Sequence, residues 1–426
     1  MGYLGTDVIT QDNENLKGIL IKETKDSITL KLSNGYNIGI LKKDIKRIKK
    51  FKSFGVVEKR EIKKEIYDEN KKNIVIIHTG GTIASKIDYK TGGVTARFEA
   101  EELLGLFPEL KKLANIKSIF LANMFSEDMR FDHYKILAKA VEKEADSDGI
   151  IIAHGTDTLG YSATALAFML KNIHIPVILV GSQRSSDRPS SDAAINLICA
   201  TQYILNSGFS GVAICMHNST NDNECVILPA TKTRKMHTSA RDAFKPINDE
   251  KIALVNRDGK IEFIKHIEKR EGKFELLDKI EEKVAILRVH PNMRPKQFLF
   301  YKNYKGLVIE GTGLGQAPVG VPNKFCLVHK KILNAIRTLI KRGCIVIMTS
   351  QCIYGSVQMH VYSDAIELVN VGVIPGEDML TETAFIKLAW LLGNYKDKRE
   401  VKRLIRENLA GEINKRHLFS SDDKII

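Results

Sequence analysis

A series of near-continuous apolar runs, separated by longer apolar or amphipathic stretches, dominates the sequence from residue 73 onward. Short apolar runs of this kind are typical of strands that are buried on both faces of a parallel sheet. The predicted strands cover residues 73–78, 149–153, 176–180, 211–216, 284–289, 306–309 and 344–348. Predicted helices lie between them at 134–145, 158–171 and 193–205. Strands that alternate with helices in this way predict a doubly wound α/β protein.

The first 72 residues follow a different pattern. Apolar and polar residues alternate in short runs at 16–21, 27–32 and 36–40, and alternation with a period of two favours half-buried strands. Asn34-Gly35 separates the last two runs, and both residues tolerate the positive φ angles of a tight hairpin. This segment therefore predicts a small antiparallel β-barrel.

The chain divides into three predicted parts, which agrees with the two or three domains that 426 residues suggest. Residues 1–72 form the small N-terminal β-barrel and a linker, and residues 73–282 form a larger α/β domain. Residues 283–426 form a smaller C-terminal α/β domain. Residues 262–282 are charged and poor in apolar side chains, so we expect a linker between the two α/β domains.

The net charge is positive and is concentrated near the N-terminus. The chain has 65 Lys and Arg against 51 Asp and Glu, a net charge of +14, and residues 1–72 carry +6 of it. Much of this charge lies in residues 42–64, which we also interpret as the linker. Such a run is compatible with a solvated surface and with contact to RNA or to a protein partner.

The cysteines and the apolar content argue for a cytoplasmic protein. Six scattered Cys residues without a CxxC pair favour reduced thiols over a disulfide framework or a zinc site. The N-terminus has no basic and apolar signal pattern. The longest apolar stretch, at 164–180, is interrupted by Lys171 and Pro176, so we expect no membrane span.

The residues that follow the predicted strands carry the candidate chemistry, because ligands of open α/β sheets bind at the carboxyl ends of the strands. Thr79 follows the first strand and precedes Gly80 and Gly81. A hydroxyl beside glycine N–H groups suits a nucleophile with an oxyanion hole. A phosphate-binding loop is the alternative, but the run matches neither GxGxxG nor GxxxxGK[ST].

Two further loops carry polar residues. Thr156 and Asp157 follow the second strand, where Asp157 suits either the N-cap of the next helix or a binding role. The N-terminus of that helix offers positive potential for a substrate carboxylate. Lys232 lies in the run Thr231-Lys232-Thr233-Arg234-Lys235-Met236-His237, beyond the fourth strand.

Taken together, these motifs resemble the L-asparaginase/glutaminase family with a Thr nucleophile. The similar runs are Thr79-Gly80-Gly81-Thr82-Ile83-Ala84, His154-Gly155-Thr156-Asp157-Thr158 and Thr231-Lys232-Thr233, in this order. A barrel fused to such a core resembles the D subunits of archaeal glutamyl-tRNA(Gln) amidotransferases, with similar runs at 30–39, 124–129 and 232–244. The resemblance implies an asparaginase-like, two-domain α/β core over residues 73–426.

The resemblance also implies roles for individual residues. Thr79 attacks the side-chain carboxamide of glutamine, which gives an acyl-enzyme and ammonia, and Tyr89 orients this Thr. The second catalytic group matches Thr156, Asp157 and Lys232. A buried Lys with a depressed pKa can act as the base, and Asp157 can hold it. The residues expected to bind substrate are Ser126, Glu127, Asp157 and Gly80.

The implied activity is that of a glutaminase subunit that supplies ammonia to a partner. In the family the partner is the E subunit of the amidotransferase, which uses ATP and Mg²⁺ to convert Glu-tRNA(Gln) to Gln-tRNA(Gln). The chain itself is expected to need no metal or cofactor, and to form a homodimer within a heterotetramer. The alternatives are a free-standing asparaginase/glutaminase with an appended barrel and a binding protein with an inactive core.

Overall fold

The structure is a computed structural model of the chain. It describes residues 4–12, 14–32, 37–52, 68–81, 85–87, 94–96, 108–184, 191–267 and 271–415. Within these ranges, no helix is both long enough and apolar enough to cross a lipid bilayer.

The N-terminal part is a five-stranded antiparallel sheet with the order β4-β3-β2-β1-β5. Its strands are Leu4–Thr10 (β1), Asn15–Glu23 (β2), Ser27–Leu32 (β3), Asn37–Leu41 (β4) and Ile45–Lys52 (β5). Its small core consists of Val8, Ile28, Leu30 and Ile40. Register irregularities in β1 and β2 locally increase the twist of the sheet, as a small barrel requires.

The three strands predicted for this part are confirmed as β2, β3 and β4. Strand β5 was missed, because residues 42–64 were interpreted as a linker. The side chains from Lys46 to Lys50 are exposed on both faces of this edge strand, so its sequence lacks the alternation that marks a half-buried strand. The Asn34-Gly35 turn lies outside the described residues.

The larger α/β domain is built on an eight-stranded sheet with the order β18-β17-β14-β13-β12-β10-β6-β9. Its strands are Asn73–Gly80 (β6), Asn115–Met124 (β9), Gly149–Ala153 (β10), Pro176–Val180 (β12), Gly211–His217 (β13), Glu224–Pro229 (β14), Ala253–Asn256 (β17) and Ile261–Phe263 (β18). The five strands from β9 to β13 in this order are parallel, and the other three are antiparallel.

Helices cover both faces of this sheet, as the doubly wound prediction requires. They are Pro108–Leu113 (α1), Phe131–Lys143 (α2), Leu159–Met169 (α3) and Ala193–Asn206 (α4). Helices α2 and α3 pack on the face that contains Val75 and Ile77. Helices α1 and α4 pack on the opposite face, which contains Ile74 and Ile76.

The described part of the larger domain also contains three short antiparallel strand pairs outside its main sheet. They are Ser85–Ile87 (β7) with Val94–Ala96 (β8), Leu170–Lys171 (β11) with Glu275–Leu276 (β19), and Thr233–Lys235 (β15) with Phe244–Pro246 (β16). Strands β18 and β19 therefore lie partly inside the segment 262–282 that was expected to be a linker.

The smaller domain contains a four-stranded parallel sheet with the order β20-β21-β22-β23. Its strands are Val284–Arg288 (β20), Gly306–Gly311 (β21), Ile345–Ser350 (β22) and Ile374–Pro375 (β23). Its helices are Pro295–Leu299 (α5), Val328–Lys341 (α6), Ser363–Asn370 (α7), Thr381–Asn394 (α8) and Lys398–Leu404 (α9). The strands predicted at 284–289, 306–309 and 344–348 are confirmed.

One apolar core continues through both α/β domains. Helix α8 contributes Leu388 and Trp390 to the same cluster as Val75 of β6 and Val308 of β21. The Trp390 ring stacks on Phe168 of α3 with a centroid distance of 5.3 Å. This shared core could not be predicted from the sequence. The apolar pattern of a strand or a helix shows that the element is buried, but it does not show which element packs between the two domains.

The cysteines are free thiols, as the sequence predicts for all six. Cys199, Cys215, Cys225 and Cys344 are buried, and Cys352 is exposed. Burial raises the pKa of the Cys344 thiol to about 12, so this side chain is an inert apolar group at neutral pH.

Candidate active site

The carboxyl ends of neighbouring strands β6 and β10 bring the first two predicted site residues to one edge of the sheet. Thr79 is the last but one residue of β6, and Thr156 follows β10 by three residues. Both are buried, with exposed fractions of 2% and 5%. The Thr79 hydroxyl donates to the carbonyl oxygen of Ala153 at 3.0 Å, which fixes its side chain against the neighbouring strand.

Glycines allow the loops at this edge to approach closely. Gly80 and Gly81 have φ angles of +103° and +74°, in the region that side chains disfavour. A Cβ on Gly81 would lie 2.3 Å from the Cα atom of Gly155, and a Cβ on Gly80 would lie 2.4 Å from the backbone of Met124. The glycines therefore let the end of β6 contact the end of β9 and the loop after β10 through backbone atoms.

Lys235 at the end of β15 completes a polar group with the loop after β10. Its ammonium nitrogen lies 2.9 Å from Thr156 Oγ1 and 2.8 Å from Asp157 Oδ1. The Lys235 side chain is 15% exposed, whereas the Asp157 side chain is 65% exposed. A nitrogen at this distance can exchange a proton with the Thr156 hydroxyl, and the open carboxylate of Asp157 is accessible to a ligand.

The structure does not place Lys232 in this group, which corrects the sequence-based assignment. Lys232 is fully buried, and its ammonium pairs with Asp378 Oδ2 at 2.6 Å in the smaller domain. Burial lowers the pKa of Lys232, and the Asp378 carboxylate opposes this shift. Of the two lysines in the run Thr231 to Lys235, the second therefore reaches the predicted partners Thr156 and Asp157.

The error has a local cause. Lys232 and Lys235 are three residues apart, and side chains at an odd spacing in an extended chain point to opposite sides. Direct reading of the Thr-Lys-Thr run favoured the first lysine. Thr233 and Lys235 are two residues apart, so their side chains lie on the same side of the strand. The sequence does not show which side faces Thr156 and Asp157, or that Asp378 binds Lys232.

Asp157 does not cap the following helix. Helix α3 begins at Leu159 with Thr158 as the preceding residue, and the Asp157 carboxylate pairs with Lys235 instead. This geometry favours the binding role over the alternative N-cap role.

Ser126 and Glu127 lie in a 3₁₀ turn directly after β9. Ser126 is buried, and its carbonyl accepts a hydrogen bond from the Thr158 hydroxyl at 2.6 Å. Gly155 packs against it, because a Cβ there would lie 2.8 Å from Ser126 Cβ. Glu127 is exposed. Ser126 therefore holds the β9 and β10 loops together, and substrate contact by both residues remains a prediction.

Tyr89, the predicted orienting residue of Thr79, lies outside the described residues, between β7 and β8. Its role remains a prediction.

Two buried histidines near the strand ends are uncharged. Burial lowers the pKa of both His78 and His154 to about 4. His154 Nδ1 lies 2.7 Å from the carbonyl oxygen of Gly155, and its Nε2 lies 2.8 Å from the Ser162 hydroxyl. The neutral ring can donate to the first and accept from the second, so His154 stabilises the loop that leads to Thr156.

Three family models together match most of the chain. Family models described as "Asparaginase, N-terminal" and "Glutaminase/Asparaginase C-terminal domain" match residues 73–269 and 283–405. A third, "GatD N-terminal domain", matches residues 7–51, which include most of the N-terminal sheet.

Relatives match most of the chain in sequence. The chain is 48% identical over 395 residues to the D subunit of the glutamyl-tRNA(Gln) amidotransferase of Thermococcus kodakarensis, covering 91% of this chain and 87% of the relative. The corresponding D subunit of Methanopyrus kandleri is 41% identical over 426 residues, covering 95% and 90%.

Solved asparaginase structures match about four fifths of the chain. The thermostable L-asparaginase from Thermococcus kodakarensis superposes with a TM-score of 0.72 at 30% identity, over 80% of this chain and 99% of that one. L-asparaginase I from Vibrio cholerae superposes with a TM-score of 0.69 at 27% identity, over 81% and 99%. The chain therefore belongs to the asparaginase/glutaminase family, in the branch formed by the D subunits of glutamyl-tRNA(Gln) amidotransferases.

Proposed function

We propose that this chain is the glutamine-hydrolysing subunit of a cytoplasmic, tRNA-dependent amidotransferase. The observation that carries the chemistry is the contact of Lys235 with Thr156 and Asp157, at the strand end beside Thr79. The N-terminal sheet supports the amidotransferase branch over a free-standing asparaginase, because the family model "GatD N-terminal domain" matches residues 7–51, and the two solved asparaginases cover only 80% and 81% of the chain.

The reaction follows from the side chains at this edge. Thr79 Oγ1 attacks the carboxamide carbon of glutamine, and backbone N–H groups near Gly80 and Thr156 stabilise the oxyanion. The C–N bond then breaks, and the nitrogen leaves as ammonia after it accepts the proton lost by the attacking hydroxyl. Water attacks the resulting ester and releases glutamate, which restores Thr79.

Proton transfer is assigned to the polar group around Lys235. Its nitrogen exchanges a proton with Thr156 Oγ1, while Asp157 holds the amine in place. The exposed Asp157 carboxylate also suits the α-amino group of glutamine. Tyr89 orients Thr79, and Ser126 with Glu127 borders the substrate.

The ammonia acceptor is proposed to be Glu-tRNA(Gln) bound to the E subunit of the amidotransferase, which uses ATP and Mg²⁺. This chain is expected to need no metal or cofactor for its own step. We expect two copies of it to assemble with two copies of the E subunit. Glutamine use should depend on the loaded partner, because free ammonia would otherwise be wasted.

The test measures ammonia release from glutamine by the chain alone, and then with the E subunit, ATP, Mg²⁺ and Glu-tRNA(Gln). We expect strong stimulation by the complete system. Equal release by the chain alone would favour the free-standing asparaginase, and no release in either case would favour a binding protein.

Variants assign the residues within the same assay. Thr79→Ala should abolish glutamine-driven amidation, and Lys235→Met should reduce it by about 100-fold or more while leaving a measurable residual rate. Both variants should preserve amidation from added ammonium. Lys245→Met is the matched control, since it removes a half-exposed ammonium from the same hairpin, paired with Asp242 rather than with Asp157. Glutamine-driven turnover by Thr79→Ala would exclude Thr79 as the nucleophile.

A further inference from the structure

The hairpin that carries Lys235 is anchored at its base to the smaller domain. Strands β15 and β16 pair from Thr233 to Lys235, and the N–H of Ile247 donates to the carbonyl oxygen of Lys232 at 2.7 Å, just below the pairing. Lys232 directly precedes β15, and Asn248 lies two residues after the end of β16. Both reach Asp378.

Asp378 is the shared anchor. Its backbone carbonyl accepts from Lys232 Nζ at 3.0 Å and from Asn248 Nδ2 at 3.2 Å, and its carboxylate pairs with Lys232 at 2.6 Å. The same carboxylate accepts from the backbone N–H and side-chain amide of Asn414, at 3.1 Å and 2.9 Å. The carboxylate is thus surrounded by three donor groups, and its exposed fraction is only 4%.

The backbone on both sides of this anchor is held in an uncommon conformation. Among the described residues, three that are not glycine have positive φ angles, and two of them are Asn248 at +54° and Glu377 at +55°. Such conformations persist only where surrounding contacts enforce them. Asn248 also exchanges two hydrogen bonds with the backbone of Gly355 in the smaller domain, at 2.8 Å and 2.9 Å.

The side chains along the hairpin point to alternate sides. Lys232 and Arg234 contact the smaller domain, where Arg234 Nε lies 3.4 Å from Glu382 Oε1. Lys235 points to the other side and contacts Thr156 and Asp157. A rotation of the strand that breaks the contacts of Lys232 and Arg234 with the smaller domain would therefore move Lys235 away from Thr156 and Asp157.

We propose that Asp378 and Lys232 are positioning residues, whose ion pair fixes the hairpin so that Lys235 reaches Thr156 and Asp157. Through this ion pair the smaller domain sets the geometry of the amidase centre. This inference rests on the proposed role of Lys235. A merely structural pair would instead stabilise the chain without a specific effect on turnover.

The chain offers a matched control. Lys387 is also fully buried, and it pairs with Glu412 at the same distance of 2.6 Å. Its other hydrogen bonds go to the carbonyl oxygens of Ile405 and Glu407, so it joins helix α8 to the C-terminal segment within the smaller domain. Removing either buried ammonium leaves a buried carboxylate without its cation.

The experiment compares Lys232→Met, Asp378→Asn and Lys387→Met in the full chain, assembled with the E subunit and supplied with Glu-tRNA(Gln). Glutamine kcat, glutamine KM and the urea midpoint are measured for each. We expect the first two variants to lose about 10- to 100-fold in kcat with a smaller change in KM, since misplacement by about 1 Å costs up to about 100-fold. Lys387→Met should lower the urea midpoint comparably but keep kcat within about threefold of wild type.

A double variant separates positioning from stability. Lys232→Met with Asp378→Leu removes both buried charges, which should recover the urea midpoint, because apolar replacements of buried pairs are often neutral. Its kcat should stay low. Recovery of kcat together with stability, or an equal kcat loss in Lys387→Met, would overturn the inference.

A background without Lys235 tests whether the pair acts through that residue. In Lys235→Met, adding Asp378→Asn should change the residual turnover by less than about threefold, because residues that act as a unit are not additive. A full additional loss would refute the inference while leaving the proposed function intact. A wild-type rate in Lys235→Met would refute the catalytic role proposed for Lys235 and with it this inference. Absence of glutamine-driven turnover in the wild-type complex would instead refute the proposed function.

Discussion

Gly81→Ala tests whether the amidase centre requires the close backbone contact between Gly81 and Gly155. The new Cβ would lie 2.3 Å from Gly155 Cα and 2.4 Å from Gly155 N, whereas carbon atoms pack at about 3.5 to 4.0 Å. One of the two backbone segments must therefore retreat by roughly 1.2 to 1.7 Å, given those packing distances. The φ angle of +74° adds about 1 to 2 kcal/mol for any residue with a Cβ.

The displaced loops carry Thr79 and Thr156, so the substitution should reduce kcat/KM for glutamine. A misplacement of about 1 Å costs on the order of 100-fold in rate. Gly208→Ala is the matched control, because Gly208 has a φ of +63° but no atom within 4 Å of its added Cβ. It should lose about 1 to 2 kcal/mol of unfolding free energy and keep its kcat/KM.

The assay follows ammonia release in the complete system, and urea unfolding is measured on the same preparations. If Gly81→Ala kept kcat/KM within about threefold of wild type, far from the roughly 100-fold loss expected, the loops would not need this contact, and the role assigned to the glycine would be wrong. An equal kcat/KM loss in Gly208→Ala would show that backbone strain, rather than loop separation, controls the rate.

Three further outcomes are expected. Burial lowers the pKa of His78 and His154 to about 4, so the unfolded chain binds protons at a higher pH than the folded chain does. The free energy of unfolding should therefore fall by about 3 kcal/mol per histidine as the pH drops from about 6.5 to 4. A urea midpoint that stays constant across this pH range would contradict the prediction. The fluorescence of Trp390, the single tryptophan, should depend on the packing between the two α/β domains. Phe168→Ala should therefore shift this emission to longer wavelength and lower the free energy of unfolding by about 3 to 5 kcal/mol. An unchanged emission spectrum would exclude this packing. The exposed Cys352 should react first with a thiol reagent in the native protein, and the four buried thiols only after unfolding; fast labelling of all six would contradict the described core.

Much of the α/β core could be predicted from the sequence, because its strands are buried on both faces. The strands Gly149–Ala153 and Pro176–Val180 have the predicted bounds, since an uninterrupted apolar run ends where burial ends. Strand β5 could not be predicted, because an exposed edge strand has no apolar stripe.

The site residues could be predicted only where they directly follow a predicted strand. Thr79, Thr156 and Asp157 follow strands directly, so the sheet topology brings them to one edge. Lys232 and Lys235 could not be distinguished in this way, because the choice depends on Asp378, which is 146 residues away along the chain. Long-range pairing of buried charges is not visible in a local pattern.

The position of α8 has a consequence for how the chain opens. Since Leu388 and Trp390 share one apolar cluster with strands of both sheets, neither domain can expose its inner face without disrupting the other. The backbone amides of α8 should therefore exchange with deuterium only through global opening, as slowly as those of the central strand β10. Helix α8 packs between the smaller sheet and α3, so a chain truncated before Thr381 would uncover the inner face of the smaller sheet and the side of α3 that carries Phe168. Helix α8 therefore completes the core that the two domains share.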